Sequence, residues 1–423
     1  MLVVLDGLGD RAVPALGGRT PAEAARTPVL DALAARGCSG WHLPFGWGRA
    51  PASELAHWAM FGFSDVPFPG RAVLEALGAG VEVPPGVAVC HAALRTSRVE
   101  DGRVWITGRA APDDAADAAA LFEALRPVAA AHDVELTPLG GRGEALLVLP
   151  GCDDGAVTDS DPFFEDRHPW LRVRPCSSSP ATADRLHAFL LDARRLLVSH
   201  PVNRSRWARP ALDVLTTKWS GRRDPLPTFV EQTGVAGAAV TSTRLYRGIA
   251  TLLGMASRHV APVADVGEDL AARLVVTQEL IDDGARFVHV HTKATDEAGH
   301  TKEPRAKLDV LEAADPGLAG LLDLADRAVV AVTGDHATPS VDGVLHTGDP
   351  TPLVVAGPTV RPDPVTAFGE SSAASGWYGR ITAAELLPLL FGHANRPDFL
   401  GHRPTPRRTL ALPDDPEPVI VDE

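Results

Sequence analysis

The chain has 423 residues, 45% of them hydrophobic and 22% charged, which supports a folded core and excludes wholesale disorder. Lys and Arg number 40 against 54 Asp and Glu, and the formal charge of −14 argues against a nucleic-acid partner, which would usually meet a basic face. No apolar run approaches the ~18 residues of a membrane-spanning helix, so no membrane partner is expected.

Length alone suggests roughly two to three domains. The opening run Leu2 to Leu5 reads as a buried strand that stops at the polar tip Asp6-Gly7. Thr20-Pro21-Ala22-Glu23 carries a capping box with Pro at the first helical position, and the periodic stretch behind it predicts one helix to about Arg36. A second helix is expected from near Ser53 to about Phe61. The middle of the chain has its own strand and helix patterns: Val87 to Leu94, Asp113 to His132, Ala145 to Leu149 and Ala181 to Val198. It is read as an inserted α/β domain over residues 84–262, with 1–83 and 263–423 forming a discontinuous core domain. In the last third, Phe287 to His291, Ala328 to Val332 and Leu353 to Val355 read as strands. Helices are expected at Lys307 to Ala314, on to Leu324 past the break at Pro316, and at Ala383 to Leu390. Strands alternating with helices predict an α/β fold, a doubly wound and mostly parallel sheet, with chemistry at the carboxyl ends of the strands. The segment 403–408 and the acidic Pro-rich tail read as surface chain. The cysteines Cys38, Cys90, Cys152 and Cys176 form no CxxC, and no basic leader precedes the first strand. Free thiols in a cytoplasmic protein are the expectation.

Gly7-Leu8-Gly9-Asp10-Arg11-Ala12 fits a dinucleotide fingerprint by letter, but that motif needs a helix at once, and Pro14 and Gly17-Gly18 intervene. Short polar clusters are more informative. Asp296 and His300 stand four apart and would share one side of a helix. Asp335-His336 follows a strand, and His346-Thr347-Gly348-Asp349 follows ten residues later. Each alone is compatible with a surface pair or a turn. Together with Asp6, at several strand tips of one sheet, they suggest metal ligands. Asp and His donors suit Mn²⁺ or Zn²⁺, with Mg²⁺ possible at an oxygen-rich site.

These segments, with Pro51-Ala52-Ser53-Glu54-Leu55-Ala56-His57, Gly70-Arg71-Ala72, Lys293-Ala294-Thr295 and Ala337-Thr338-Pro339, carry a resemblance. The chain resembles the archaeal-type phosphoglycerate mutases that need no bisphosphoglycerate, within the alkaline phosphatase superfamily. The resemblance implies an alkaline-phosphatase-like sheet, two divalent ions (Mn²⁺ first, then Zn²⁺ or Mg²⁺) and a small phosphorylated substrate. It implies that Ser53 is a nucleophile passing through phosphoserine. It also implies that Asp6, Ser53, Asp335 and His336 hold one ion, that Asp296, His300 and His346 hold the other, and that Lys293 faces the phosphoryl group. The inserted domain would close over the substrate. Two divalent ions would balance three aspartates and a serine alkoxide, leaving a site open to a phosphate dianion. Ser53 at a helix start would add the positive end of a helix dipole, although a simple N-cap is its plainer reading.

The resemblance weakens where the family carries its glycerate-binding arginines. Of an Arg-Ala-Gly-Arg stretch only Arg109 remains, in Ile106-Thr107-Gly108-Arg109; the arginine-and-asparagine strand is replaced by Val87 to Leu94; and Lys218 stands for an arginine. Lysine lacks the planar fork that grips a carboxylate or phosphate with two bonds. His91, Arg109, Arg142 and Lys218 are the expected substrate-binding residues. The alternative is a phosphomutase or phosphatase for another small phosphorylated or phosphono metabolite.

Overall fold

The computed structural model describes residues 1–140, 142–152, 155–162, 167–176, 180–398 and 418–421. The segment 403–408 lies outside the described residues. The chain divides into two units, Met1–Phe68 with Pro227–Glu423, and Pro69–Leu226. Among the described residues no helix is long and apolar enough to cross a membrane.

The larger unit is built on an eight-stranded sheet. Its strand order is Ala256–His259, Gly237–Thr241, Phe287–Thr292, Leu2–Leu5, Val330–Thr333, Thr351–Ala356, Cys38–His42 and Gly379–Ile381. The first five run parallel, Thr351–Ala356 is antiparallel to both neighbours, and Gly379–Ile381 is again parallel to Cys38–His42. Leu2–Leu5 is buried at every position, as a strand covered on both faces must be. It pairs Leu5 with Thr292 and Val4 with Thr333. Three adjacent parallel strands therefore end at the same level, delivering Asp6, Lys293 and Asp335 side by side.

The stretch 20–36 is not one helix. The capping box of Thr20 and Glu23 forms as expected, but the helix is Pro21–Ala24, and a second begins afresh at Pro28 and runs to Arg36. A proline lacks the N–H for a continuing helix and pushes its predecessor out of helical geometry, so Thr27-Pro28 breaks the periodic stretch.

The smaller unit has an antiparallel sheet. In order it runs Glu135–Gly140, Glu144–Leu149, Ala88–Glu100, Arg103–Arg109 and His168–Pro169, and Val214–Arg222 also pairs with Ala88–Glu100. Ala88, Cys90, Ala92 and Leu94 face a core shared with Leu121, Phe122 and Leu125 of helix Ala115–Ala131 and Leu186, Phe189 and Leu190 of helix Ala181–Ser199. Val89 belongs to a separate core with Val73 and Ala76 of helix Arg71–Gly78. The boundaries thus fall at 68/69 and 226/227 and not at 83/84 and 262/263. Arg71–Gly78 buries its apolar side on the smaller sheet, while Gly237–Thr241 and Ala256–His259 extend the larger one.

Candidate active site

Asp6, Ser53, Asp296, Asp335 and His336 are buried in the larger unit. Ser53 is the first residue of helix Ser53–Met60, whose N-cap is Ala52. Its hydroxyl is therefore not a cap, and it lies 3.0 Å from His336 Nε2. The protons around that imidazole can be assigned. Thr338 donates its hydroxyl to Asp296 Oδ1 at 2.6 Å, so its oxygen accepts from His336 Nδ1 at 3.2 Å. His336 Nε2 then presents a lone pair. It faces Ser53 Oγ, Asp335 Oδ2 at 3.3 Å and Asp6 Oδ1 at 3.5 Å.

Those two carboxylate oxygens are buried and accept no hydrogen bond. Buried acceptors converging without a proton among them are costly unless a cation joins them. The ligand atoms of Asp6, Asp335 and His336 all lie within 4.8 Å of one another, as do those of Asp296, His336 and His346. This donor set fits divalent ions. His300 Nε2 lies 3.3 Å from Asp296 Oδ2, and His346 Nε2 lies 3.7 Å from Asp296 Oδ1. All seven residues expected from the resemblance thus meet in the larger unit. His336 belongs to both clusters.

Lys293 bridges the two sets, donating to Asp6 Oδ2 at 2.9 Å and Asp296 Oδ2 at 2.7 Å. Burial works to lower its pKa, but Asp6, Asp296 and Asp335 outweigh it and hold the ammonium well above the usual lysine range. Burial works to raise Asp6; Lys293, His291 and His336 pull it well below the usual carboxylate value. Burial likewise opposes the lowering of Asp296, which the His300 hydrogen bond and Lys293 enforce. Burial takes His346 down to about 4, so its imidazole is neutral at pH 7, as a metal ligand must be.

The loop after Leu2–Leu5 explains why this pocket forms. Gly7 adopts φ +63°, and a Cβ there would sit 2.4 Å from Thr338 Oγ1 and 2.7 Å from Asp296 Oδ1. Its N–H donates to Asp335 Oδ1 at 2.9 Å. Lys307, fully buried, ties the carbonyls of Gly7, Gly9 and Thr338 to the Asp10 carboxylate. The glycines of the apparent fingerprint serve this fold-back, and no helix follows them directly.

Several polar partners in this pocket were not evident from sequence. His57 Nδ1 donates to the Ser53 carbonyl at 2.8 Å. Asp6 Oδ2 accepts from Tyr246 Oη and His291 Nε2, both at 2.9 Å. His291 stands two residues before Lys293 on a stretch read as a strand, with no role given to its histidines. Tyr246 gave no local signal, and Thr338 appeared only within a matching segment, with no role attached.

The substrate-binding candidates lie in the smaller unit. In the antiparallel ladder His91 pairs with Lys218, and Arg95 with Arg109. Strand alternation puts His91 and Arg95 on the Val89 side, opposite the two long helices. Arg95 and Lys218 are buried, and Arg109 is exposed. Trp219 takes φ +59°, a strained value for a bulky residue, and its ring lies 5.0 Å from that of His91. Lys218 Nζ lies 4.4 Å and the Arg71 guanidinium 3.9 Å from the Trp219 ring centroid. Gly70 makes this possible: its φ is +93°, and a Cβ would strike Gly221 Cα at 2.4 Å. Burial lowers the Lys218 pKa to about 8; Asp161 opposes the shift, and Arg95, Arg109 and Arg71 add to it. Arg95 donates to Asp161 at 2.9 Å. Sequence reading named Arg71 only within the matching segment Gly70-Arg71-Ala72, and assigned no role to Arg95 or Trp219. Arg142 is exposed in the turn between Glu135–Gly140 and Glu144–Leu149.

Residues 1–393 match the model of the Metalloenzyme superfamily. A Methanopyrus kandleri protein named 2,3-bisphosphoglycerate-independent phosphoglycerate mutase is 36% identical over 415 residues, 95% of this chain and 97% of its own length. A Methanocaldococcus jannaschii protein, named as form 2 of that mutase, is 32% identical over 99% of this chain and 98% of its own. Among solved structures, the cofactor-independent phosphoglycerate mutase of Thermoplasma acidophilum is 30% identical with a TM-score of 0.62, covering 93% of this chain and 98% of that one. A Pyrococcus horikoshii protein reaches a TM-score of 0.76 at 30% identity, covering 93% and 96%.

Proposed function

We propose, from the premise that the chain belongs to the archaeal-type 2,3-bisphosphoglycerate-independent phosphoglycerate mutases of the Metalloenzyme superfamily, that it interconverts 3- and 2-phosphoglycerate by passing the phosphoryl group through Ser53. The observation that carries this reading is the convergence on His336 Nε2 of the Ser53 hydroxyl and two unsatisfied buried carboxylate oxygens. Divalent ions (Mn²⁺ first, Zn²⁺ or Mg²⁺ as alternatives), held by Asp6, Ser53, Asp335 and His336 and by Asp296, His300 and His346, would make the serine alkoxide available near neutral pH and neutralise phosphoryl charge.

The remaining work belongs to the chain. Ser53 Oγ bonds to phosphorus as the substrate's O–P bond breaks, and the departing oxygen takes up a proton. The other glycerate hydroxyl then loses its proton, attacks the same phosphorus and releases Ser53. No water is consumed, so substrate and product are isomers. Lys293 keeps its proton throughout and presents a fixed positive charge. Arg109, Lys218 and His91, joined by Arg71 and Arg95, bind the anionic groups of the substrate, and Arg142 is the outlying member of that set. The reaction is that of a cytoplasmic, glycolytic isomerase.

The test is an assay of Mn²⁺-loaded protein with each isomer, paired with substrate labelled in its phosphate. Interconversion is expected, with label trapped on Ser53 and both lost in Ser53→Ala. Absence of turnover in correctly metallated protein would remove the glycolytic version. A second reading keeps the phosphoserine and changes the substrate to another phosphorylated or phosphono metabolite. It is favoured by the lysine and histidine that face each other at His91 and Lys218. Release of free phosphate across a panel of sugar, nucleotide and carboxylate phosphates separates the two.

A further inference from the structure

Asp6 is used asymmetrically. Oδ2 accepts from three donors, Tyr246 Oη, His291 Nε2 and Lys293 Nζ, each at 2.9 Å. Oδ1 is buried and accepts from none, lying 3.5 Å from His336 Nε2. Lys293 also serves Asp296, and its side chain is 33% exposed. Tyr246 and His291 are buried. Their rings lie 3.7 Å apart, and the phenol also packs 4.6 Å from the His57 ring. Tyr246 comes from helix Arg244–Leu252, directly after the strand Gly237–Thr241 that pairs with the strand bearing His291.

A buried phenol needs a partner for its hydroxyl, and a charge-assisted bond to a carboxylate is among the stronger ones available. A carboxylate with one oxygen saturated by fixed donors cannot rotate to offer the other edge. We propose that Tyr246 is a positioning residue for Asp6: with His291 it engages Oδ2, so that Oδ1 alone is turned toward the cation cluster formed with Asp335 and His336. This deepens the metal reading given above and rests on it. The hydrogen bond of Tyr246 goes to Asp6 and not to a ligand of the neighbouring cluster of Asp296, His300 and His346, so the effect should fall on one of the two ions.

The experiment is a calorimetric titration of the metal-free protein with Mn²⁺. Wild type should take up two ions per chain. Tyr246→Phe keeps the ring packing and removes one hydroxyl. It should weaken one binding event about 10–100-fold and leave the other unchanged, the size usual for partners that orient a metal ligand. The melting temperature of the metal-free variant should stay at the wild-type value. His291→Gln, which keeps an N–H near Nε2, should retain tighter binding at that site than His291→Leu. Two sites in wild type with both unchanged in Tyr246→Phe overturn the proposal. Equal weakening of both sites, or a lower melting point with no difference between Gln and Leu at position 291, also overturns it in favour of general packing. Fewer than two ions in wild type overturns the metal reading itself, and this inference with it.

Discussion

In the larger unit Asp6, Asp296 and Asp335 each lie within 3.3 Å of an imidazole or ammonium nitrogen, yet the pocket still holds two acceptor oxygens without a donor. In the smaller unit Lys218 is buried under the influence of Arg71, Arg95 and Arg109, with Asp161 as the opposing charge. The first region leaves two buried acceptor oxygens without a donor, whereas the second sets its cations beside carboxylates, Arg95 with Asp161 and Arg71 with Glu75. Both bring like-charged side chains together without a ligand. The acidic pocket achieves this with residues at strand tips and in the loops behind them. The cationic cluster uses residues along one face of an antiparallel ladder, where strand parity and not strand ends decides who meets whom.

That contrast can be broken most severely at His336, which alone belongs to both acidic clusters. His336→Ala should remove the ion held with Asp6 and Asp335, weaken the one beside Asp296 and His346, and lower turnover by about 100–1,000-fold, the scale of losing a preorganised electrostatic contact to the transferring group. His300→Ala should remove only one. Counting Mn²⁺ per chain in the two variants decides whether the clusters are coupled through this residue.

In the smaller unit the effect should fall on binding and not on chemistry. Lys218→Met should raise KM about 10–100-fold at nearly constant kcat, as expected for loss of one charged hydrogen bond of ~1.5–3 kcal/mol. The pH dependence has a definite sign. An anion binds the protonated lysine, whose pKa is lowered to about 8, so KM should be flat below that value and rise as pH climbs above it. Bound anion raises the lysine pKa in the complex, which sets only the higher pH at which the rise levels off. Lys218→Arg should flatten the profile; a profile that keeps the same inflection in that variant would assign the titration elsewhere.

Arg142 marks the small end of the scale. It is exposed on a turn, and removing an exposed guanidinium should shift stability by no more than ~0.5 kcal/mol. Arg142→Ala should leave KM within about twofold of wild type. A larger rise would extend the anion-binding set out to that turn.

Much of the larger unit's pocket was legible because its ligands follow short apolar runs that end abruptly in Asp, as at Leu5-Asp6 and Thr333-Gly334-Asp335. Asp296 and His300 were readable through helical spacing. Their partners were not. Tyr246 reaches Asp6 across 240 residues, and His291 across 285, through a sheet order that no local pattern encodes. Thr338 entered only as a letter of the matching segment Ala337-Thr338-Pro339, although it sets the tautomer of His336. In the smaller unit Ala88 to Leu94 is buried on both faces, so it shows no alternation. Without alternation the parity that groups His91 with Arg95 is invisible. The break at Thr27-Pro28 is a different kind of miss, since the proline was in plain view and the apolar period of the flanking residues overrode it.

The central position of Leu2–Leu5 also bears on how the molecule is made. Its two hydrogen-bonding neighbours, Phe287–Thr292 and Val330–Thr333, follow it in the chain by roughly 280 and roughly 325 residues, a delay of about 15–65 s at ordinary elongation rates. Throughout that interval an apolar segment that will end up innermost has both edges open. Residues 69–226 form their own sheet and cores from contiguous chain and can complete them within the wait. The sheet of the larger unit therefore closes around Leu2–Leu5 only after the whole of the smaller unit's chain has been made.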